Sequence, residues 1–255
     1  MTWTWFGAKS IGTSHLKEGT HCDDFGSCIQ VGGEFGKVLV IAVSDGAGSA
    51  RYSAIGARIT SCIFAKNAAR FVKSNPHLRD LSTDIIKEWI DEIRDGIASS
   101  ALRHEATHRD FAATLVGCLI GDDFAVFCHV GDGAAVYRTE EDGDWIVASW
   151  PAQGEYASTT YFVTDSPEAR SRIIVVDQKI SEVAVFTDGI EQLVLNFSTR
   201  SAFTPFFDRM FNPIKGTIGG RDRKLSRDLA NLLDGPSVCD KTDDDKTLIL
   251  AKRIQ

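Results

Sequence analysis

Val38-Leu-Val-Ile-Ala-Val-Ser-Asp-Gly-Ala-Gly-Ser49 carries six apolar residues, through Ser44, into an acid followed by two glycines. A half-buried strand would alternate with polar positions, so an unbroken run of this length suits a strand covered on both faces. Asp45, at the end of such a strand, is held rigidly, and the glycines beside it let backbone carbonyls approach a cation or a phosphate. An ordinary glycine-rich turn has the same appearance. Outward from this stretch, short Val/Ile/Phe blocks bounded by Gly and Asp recur at 113–120, 124–130, 134–138, 145–149, 172–176, 182–187 and 247–252. Asp142-Gly143, between two of them, is a hairpin signal, and hairpins make antiparallel sheets.

Helical patterning lies between the first block and the next. Over 52–72, Ile55, Ile59, Ile63 and Phe64 share a face, and Ser82, Thr83 and Asp84 offer a cap for a second helix from Ile85 to about His104. A third helix is expected over 225–233, stopping at Gly235-Pro236. Strands on both sides of a long helical insertion, without strict alternation, indicate an α+β fold with helices packed on antiparallel sheets, closed as a sandwich. No repeat, linker or low-complexity tract divides residues 1–255, which therefore read as a single domain.

Apolar residues at 43% and charged residues at 25% provide for a real core and argue against disorder. The net charge of −7 and the lack of a run of clustered Lys and Arg argue against nucleic-acid or anionic-membrane partners. The opening residues lack a basic region followed by an apolar one, and no apolar run approaches the roughly 20 residues of a membrane span, so a cytoplasmic protein is expected. Six cysteines with no CxxC pair read as reduced thiols, and none is followed by Arg six residues on, which removes a Cys-x5-Arg phosphatase loop.

Asp outnumbers Glu 24 to 11, an excess that turns or hard-cation sites would both produce. Two further apolar strands meet acids: Phe186-Thr-Asp-Gly-Ile190, and Asp243-Asp-Asp, which enters the final strand. Carboxylates converging at one rim of a sandwich would raise each other's pKa unless a divalent cation neutralised them. Oxygen-only ligands favour Mg²⁺ or Mn²⁺ over Zn²⁺.

In order and wording, Gly12-Thr-Ser-His15, Cys22-Asp-Asp24, Ser44-Asp-Gly-Ala-Gly-Ser-Ala50, Ala112-Ala-Thr-Leu115, His129-Val-Gly-Asp-Gly133, Thr187-Asp-Gly189 and Asp244-Asp-Lys-Thr247 resemble the metal-dependent type 2C serine/threonine protein phosphatases, especially their shorter bacterial branch. The resemblance implies a four-layer α-β-β-α sandwich of two antiparallel sheets flanked by helices, with a dinuclear metal centre at one end. Matched position by position, it implies that Asp45 bridges two Mn²⁺ or Mg²⁺ ions. Asp188 and Asp244 would complete one, Asp23 and the Gly46 carbonyl would hold the other, and Asp24 would orient the water. Asp132 matches a further, weaker metal position. The register among Asp243, Asp244 and Asp245 rests on Thr247. Hydrolysis of phosphoserine and phosphothreonine would proceed by in-line attack of a metal-bridging water, on phosphorylated proteins and alongside a cognate serine/threonine kinase.

Three positions depart from the family pattern. Gly19 stands where many members have a phosphate-holding Arg, with Lys17 and Arg51 as candidate substitutes. Ala47 stands where some have a leaving-group His, leaving His15 and His21 as candidates, and Asp23 replaces a common Glu. These departures motivate an alternative, a non-catalytic phosphoprotein-binding relative. His104-Glu-Ala-Thr-His108 motivates another, because H-E-x-x-H on a helix sets two imidazoles on one face for Zn²⁺ with Glu105 as base, as in a metalloprotease. Against it, the helix is expected to end there and no downstream third ligand is in place. The loop over 149–166 either overhangs the site or merely connects sheets.

Overall fold

The computed structural model describes residues 2–34, 36–75, 77–139, 143–151, 160–165, 171–214 and 219–254. Thirteen strands are found among them: β1 (Thr2–Ser10), β2 (Phe25–Gly33), β3 (Gly36–Ser44), β4 (Leu115–Ile120), β5 (Ala125–Val130), β6 (Ala134–Arg138), β7 (Ile146–Ser149), β8 (Arg172–Val176), β9 (Glu182–Phe186), β10 (Leu195–Asn196), β11 (Ser201–Ala202), β12 (Gly220–Arg221) and β13 (Lys246–Ile254). The helices are α1 (Thr13–Glu18), α2 (Ser53–Ser74), α3 (Thr83–Arg103), α4 (Glu191–Val194), α5 (Thr204–Phe211), α6 (Arg223–Leu233) and α7 (Pro236–Cys239). One sheet runs β12-β1-β13-β9-β6-β7 and is antiparallel except where β12 joins β1; the other runs β2-β3-β4-β5-β8 and is antiparallel throughout.

Three cores separate four layers. β3 shows why its sequence is apolar throughout: Val38, Val40 and Ala42 pack toward α2 and α3, while Leu39, Ile41 and Val43 pack against the other sheet. All six are fully buried, and each larger side chain so buried stabilises the fold by roughly 1.5–3 kcal/mol. On the outer side, Phe64, Phe71 and Trp89 join the two helices to the sheet through edge-to-face rings. On the opposite side, Phe207, Phe211, Leu229 and Leu233 of α5 and α6 close over Phe6, Phe186 and Leu250.

The strands expected at 134–138 and 172–176 are found at those bounds, and Ser82 caps α3 by accepting the Ile85 N–H at 3.2 Å. β6 and β7 pair as the expected hairpin, although residues 140–142 of its turn lie outside the described residues, as do 152–159 and 166 of the connecting loop. Several elements among the described residues go beyond the sequence reading, four of them prominent. β1 pairs with β13 over its whole length, β2 forms the edge of the second sheet, and α1 and α5 are further helices. Among the described residues no helix is long and apolar enough to cross a membrane.

Candidate metal centre

Asp45 follows the last residue of β3, and its backbone is fixed twice by Thr114. The Asp45 N–H donates to Thr114 Oγ1 at 2.9 Å, and the Thr114 N–H donates to the Asp45 carbonyl at 2.8 Å. Gly46 is bridged to Ala113 beside it. Asp132 sits in the turn between β5 and β6, and Asp188 begins the 3-10 turn after β9. One carboxylate oxygen from each of Asp45, Asp132 and Asp188 lies within 4.8 Å of the others.

Burial, and after it the neighbouring carboxylates, push Asp45 and Asp188 well above the ordinary carboxylate range; Asp132, buried among the same groups, is also raised. Asp132 Oδ1 and Asp188 Oδ1 have no hydrogen-bond partner among the described residues, while Thr160 donates to the other oxygen of Asp132. Three desolvated carboxylates, two with an oxygen that no protein donor satisfies, fit a cation as their missing partner. The donors are all oxygen and none is His or Cys, so the set suits a hard divalent ion.

The other expected residues surround this cluster. Asp24 is 1% exposed; burial raises its pKa to about 6 against the lowering effect of the Thr187 hydroxyl. Thr187 Oγ1 donates to Asp24 Oδ2 at 2.8 Å, and Asp24 Oδ1 has no partner among the described residues. Asp23 accepts from Ser53 Oγ at 2.7 Å. Asp244 is raised by burial first, and its charge acts on both Asp45 and Asp188. Asp245 plays a different part, since its two oxygens accept the N–H groups of Gly12 at 2.6 Å and Asp23 at 2.5 Å, tying the start of the chain to the final strand.

The family profile described as Protein phosphatase 2C matches residues 11–234. The chain belongs to the protein phosphatase 2C family. It is 31% identical, over 98% of both chains, to Serine/threonine-protein phosphatase 3 of Escherichia coli (strain K12). Its fold is similar to that of the serine/threonine phosphatase Stp1 from Staphylococcus aureus, with a TM-score of 0.67, 14% identity and coverage of 100% of this chain and 96% of the other. It also resembles RsbX, solved in complex with magnesium, with a TM-score of 0.56, 15% identity and coverage of 97% and 94%. This protein phosphatase is therefore an enzyme of a metal-dependent family, with phosphorylated proteins as its substrates.

The two rival readings give way here. α3 ends at Arg103, His104 is its C-cap, Glu105 takes a left-handed φ of 52°, and His108 opens a separate 3-10 turn. The two imidazoles therefore do not share a helix face; His104 Nδ1 instead meets the Ser100 carbonyl at 2.8 Å, and its ring packs on Tyr52. A zinc protease centre at His104, Glu105 and His108 is excluded by that break. The non-catalytic alternative gains nothing from a carboxylate cluster that is intact in an enzyme family.

The phosphatase brings His15, on α1, to the rim of the site, 3.8 Å from Asp245 Oδ2. Burial alone would lower its pKa, but the His21 carbonyl and the charges of Asp245, Asp23 and Asp244 outweigh burial and raise it. His21 contributes that carbonyl, at 2.8 Å from His15 Nδ1. Lys17 lies exposed on α1, and Arg51 lies over the Tyr52 ring. His129 is a core residue: burial, and after it Arg172, bring its pKa down to about 3. Glu191 escaped the sequence reading. Burial, then the charge of Asp132, push it up to about 7, and its only signal was its place three residues after Asp188.

Proposed function

We propose that this phosphatase hydrolyses phosphoserine and phosphothreonine in proteins with Mn²⁺ or Mg²⁺ held by Asp45, Asp188 and Asp132. Asp23, Asp244 and the Gly46 carbonyl complete the ligand set around them. The observation that carries the reading is the convergence of three desolvated carboxylates, two of them with an oxygen unsatisfied among the described residues. When bound, two such cations supply a nucleophile from water at neutral pH and offset the charge of the phosphoryl oxygens. The grouping of Asp132 with Asp45 and Asp188 supports a role inside the central cluster as well as at a further, weaker site.

The chain's own residues divide the remaining work. Asp24 is anchored through one oxygen by Thr187, which leaves its second oxygen to accept a proton from water and to fix that water in line. His15 is held through Nδ1 by the His21 carbonyl and among carboxylates that favour its charged form, which suits it to protonate the departing serine or threonine oxygen. Thr114, Thr187 and the Asp245 carboxylate keep these groups in place through backbone and hydroxyl contacts. Placement in the cytoplasm beside a cognate serine/threonine kinase belongs to the same reading.

The test is phosphate release from a phosphothreonine peptide. The expected outcome is turnover with Mn²⁺ or Mg²⁺ that stops with EDTA. Recovery by Zn²⁺ alone, or turnover indifferent to chelation, overturns the assignment.

A further inference from the structure

Glycines open a cleft at the side of the sandwich, between β1 of one sheet and β2 at the edge of the other. A Cβ on Gly7 would stand 2.9 Å from Ile249 Cγ1, and one on Gly26 would stand 3.0 Å from Thr247 Cγ2, so side chains here would fill the space between β1 and β2. The cleft has a volume of about 410 Å³. A second one, of about 620 Å³, lies on the α6 side of β1, and Gly7, Ala8, Lys9 and Arg221 line both, so the two meet along this strand.

The combined groove is cationic in an acidic protein. Arg223 and Arg227 stand four residues apart on one face of α6 with Ser226 and Ala230, and they join Lys9 and Arg221 in lining it. All four cations are exposed, and among the described residues no carboxylate lines either part. The neighbouring acids are committed or turned elsewhere: Asp222 caps α6 by accepting from Lys224 and Leu225, Asp234 accepts from Ser10, and Asp228 does not line the groove. Among the described residues none of the three arginines forms a salt bridge. The groove also reaches the catalytic end, since Lys9 Nζ donates to the Asp24 carbonyl at 2.9 Å.

We infer that this groove receives an acidic flank of the phosphoprotein substrate while the phosphorylated residue occupies the carboxylate centre; the inference rests on the phosphatase reading. From Lys9 to Trp5 the strand spans ~13 Å, which matches about four residues of an extended peptide. Glu and Asp side chains within that distance of the phosphorylated residue meet four cations, in a molecule whose net charge of −7 otherwise disfavours acidic chains. A walled groove of this length suits a short peptide segment better than a duplex or a bilayer.

The experiment compares phosphothreonine peptides of one length, with Glu or with Gln flanks on either side, using Mn²⁺-loaded enzyme at low and high salt. The expected KM is about ten-fold lower for the acidic peptide at low salt, with the gap closing as salt rises. Arg221→Gln/Arg223→Gln/Arg227→Gln erases the preference and leaves p-nitrophenyl phosphate turnover unchanged, whereas the triple Lys variant with the same charge keeps it. Lys9 stays untouched because it holds Asp24. Fluorescence anisotropy of an unphosphorylated acidic peptide reads the groove without catalysis, so inactivity toward p-nitrophenyl phosphate overturns the phosphatase reading alone. Equal KM values for the two peptides, a preference that survives the Gln variant, or tighter binding of single-stranded DNA or phosphatidylserine vesicles than of the acidic peptide overturns the groove assignment.

Discussion

Each carboxylate of the centre is costly to the metal-free protein. Asp45 and Asp188 have raised pKa values in the folded state, chiefly from burial and then from neighbouring charges, Asp24 first for Asp45 and Asp132 first for Asp188. Between about pH 4, where the unfolded chain loses these protons, and the raised folded values, the native state holds more protons than the unfolded one, so stability falls as pH rises. Asp45→Asn and Asp188→Asn are each expected to abolish turnover. In EDTA each should melt no lower than wild type at pH 7.5, with any advantage fading toward pH 4. A variant that melts lower at pH 7.5 would show that these carboxylates do not repel. For His15, the expectation concerns the leaving group. His15→Gln should lower kcat on a phosphoserine peptide by about 10²- to 10⁴-fold but barely change it on p-nitrophenyl phosphate, whose phenolate departs without a proton. Equal losses on both substrates would assign His15 to holding Asp245 instead.

At the scale of elements, the site depends on how closely β9 and β13 approach one another. Thr187 and Thr247 pair across the two strands, through Thr187 N–H to the Thr247 carbonyl at 3.1 Å and Thr247 N–H to Thr187 Oγ1 at 2.9 Å. Directly beyond, Gly189 lies so near the final strand that an added Cβ would stand 1.9 Å from the Asp245 carbonyl oxygen. Gly189→Ala must push the Asp188 turn away from Asp244 and Asp245, a strain that typically costs about 1–3 kcal/mol. The expected result is a lower melting temperature together with a loss of at least about ten-fold in activity that added Mn²⁺ only partly restores. A variant that melts lower yet turns over like wild type would show that this approach serves the fold alone.

Across the whole molecule, metal binding and stability are coupled, because the cluster gathers strands from both sheets: Asp45 from β3 of one, Asp188 after β9 of the other and Asp132 from the turn that joins them. A cation that binds only the folded state at 100 times its Kd adds about 2.7 kcal/mol, which for a chain of this size raises the melting temperature by about 5–10 °C. Mn²⁺ or Mg²⁺ should produce that shift in wild type and not in Asp45→Asn or Asp188→Asn. An equal shift in the variants would place the stabilising ion elsewhere.

By itself, the sequence determined the strand-to-acid junctions at Asp45 and Asp188, the two long helices and the α+β class, because apolar runs, caps and turn residues are local signals. The tertiary structure alone decided which acids share a site. Asp132 entered only through the family resemblance, Glu191 had no signal beyond its place after Asp188, and the choice between Asp244 and Asp245 rested on Thr247. Packing sets Asp132 beside Asp45 and Asp188, and gives Asp245 two backbone N–H groups to accept while Asp244 faces the cluster. β1 and β2 illustrate the same limit. β1 is held by nine residue pairs with β13 at the far end of the chain, and β2 is a glycine-bearing edge, so neither owes its place to a strong local signal. Residues separated by 140 positions or more are brought together by sheet register and core burial, whose free energy depends on the whole fold and leaves no trace in any short window.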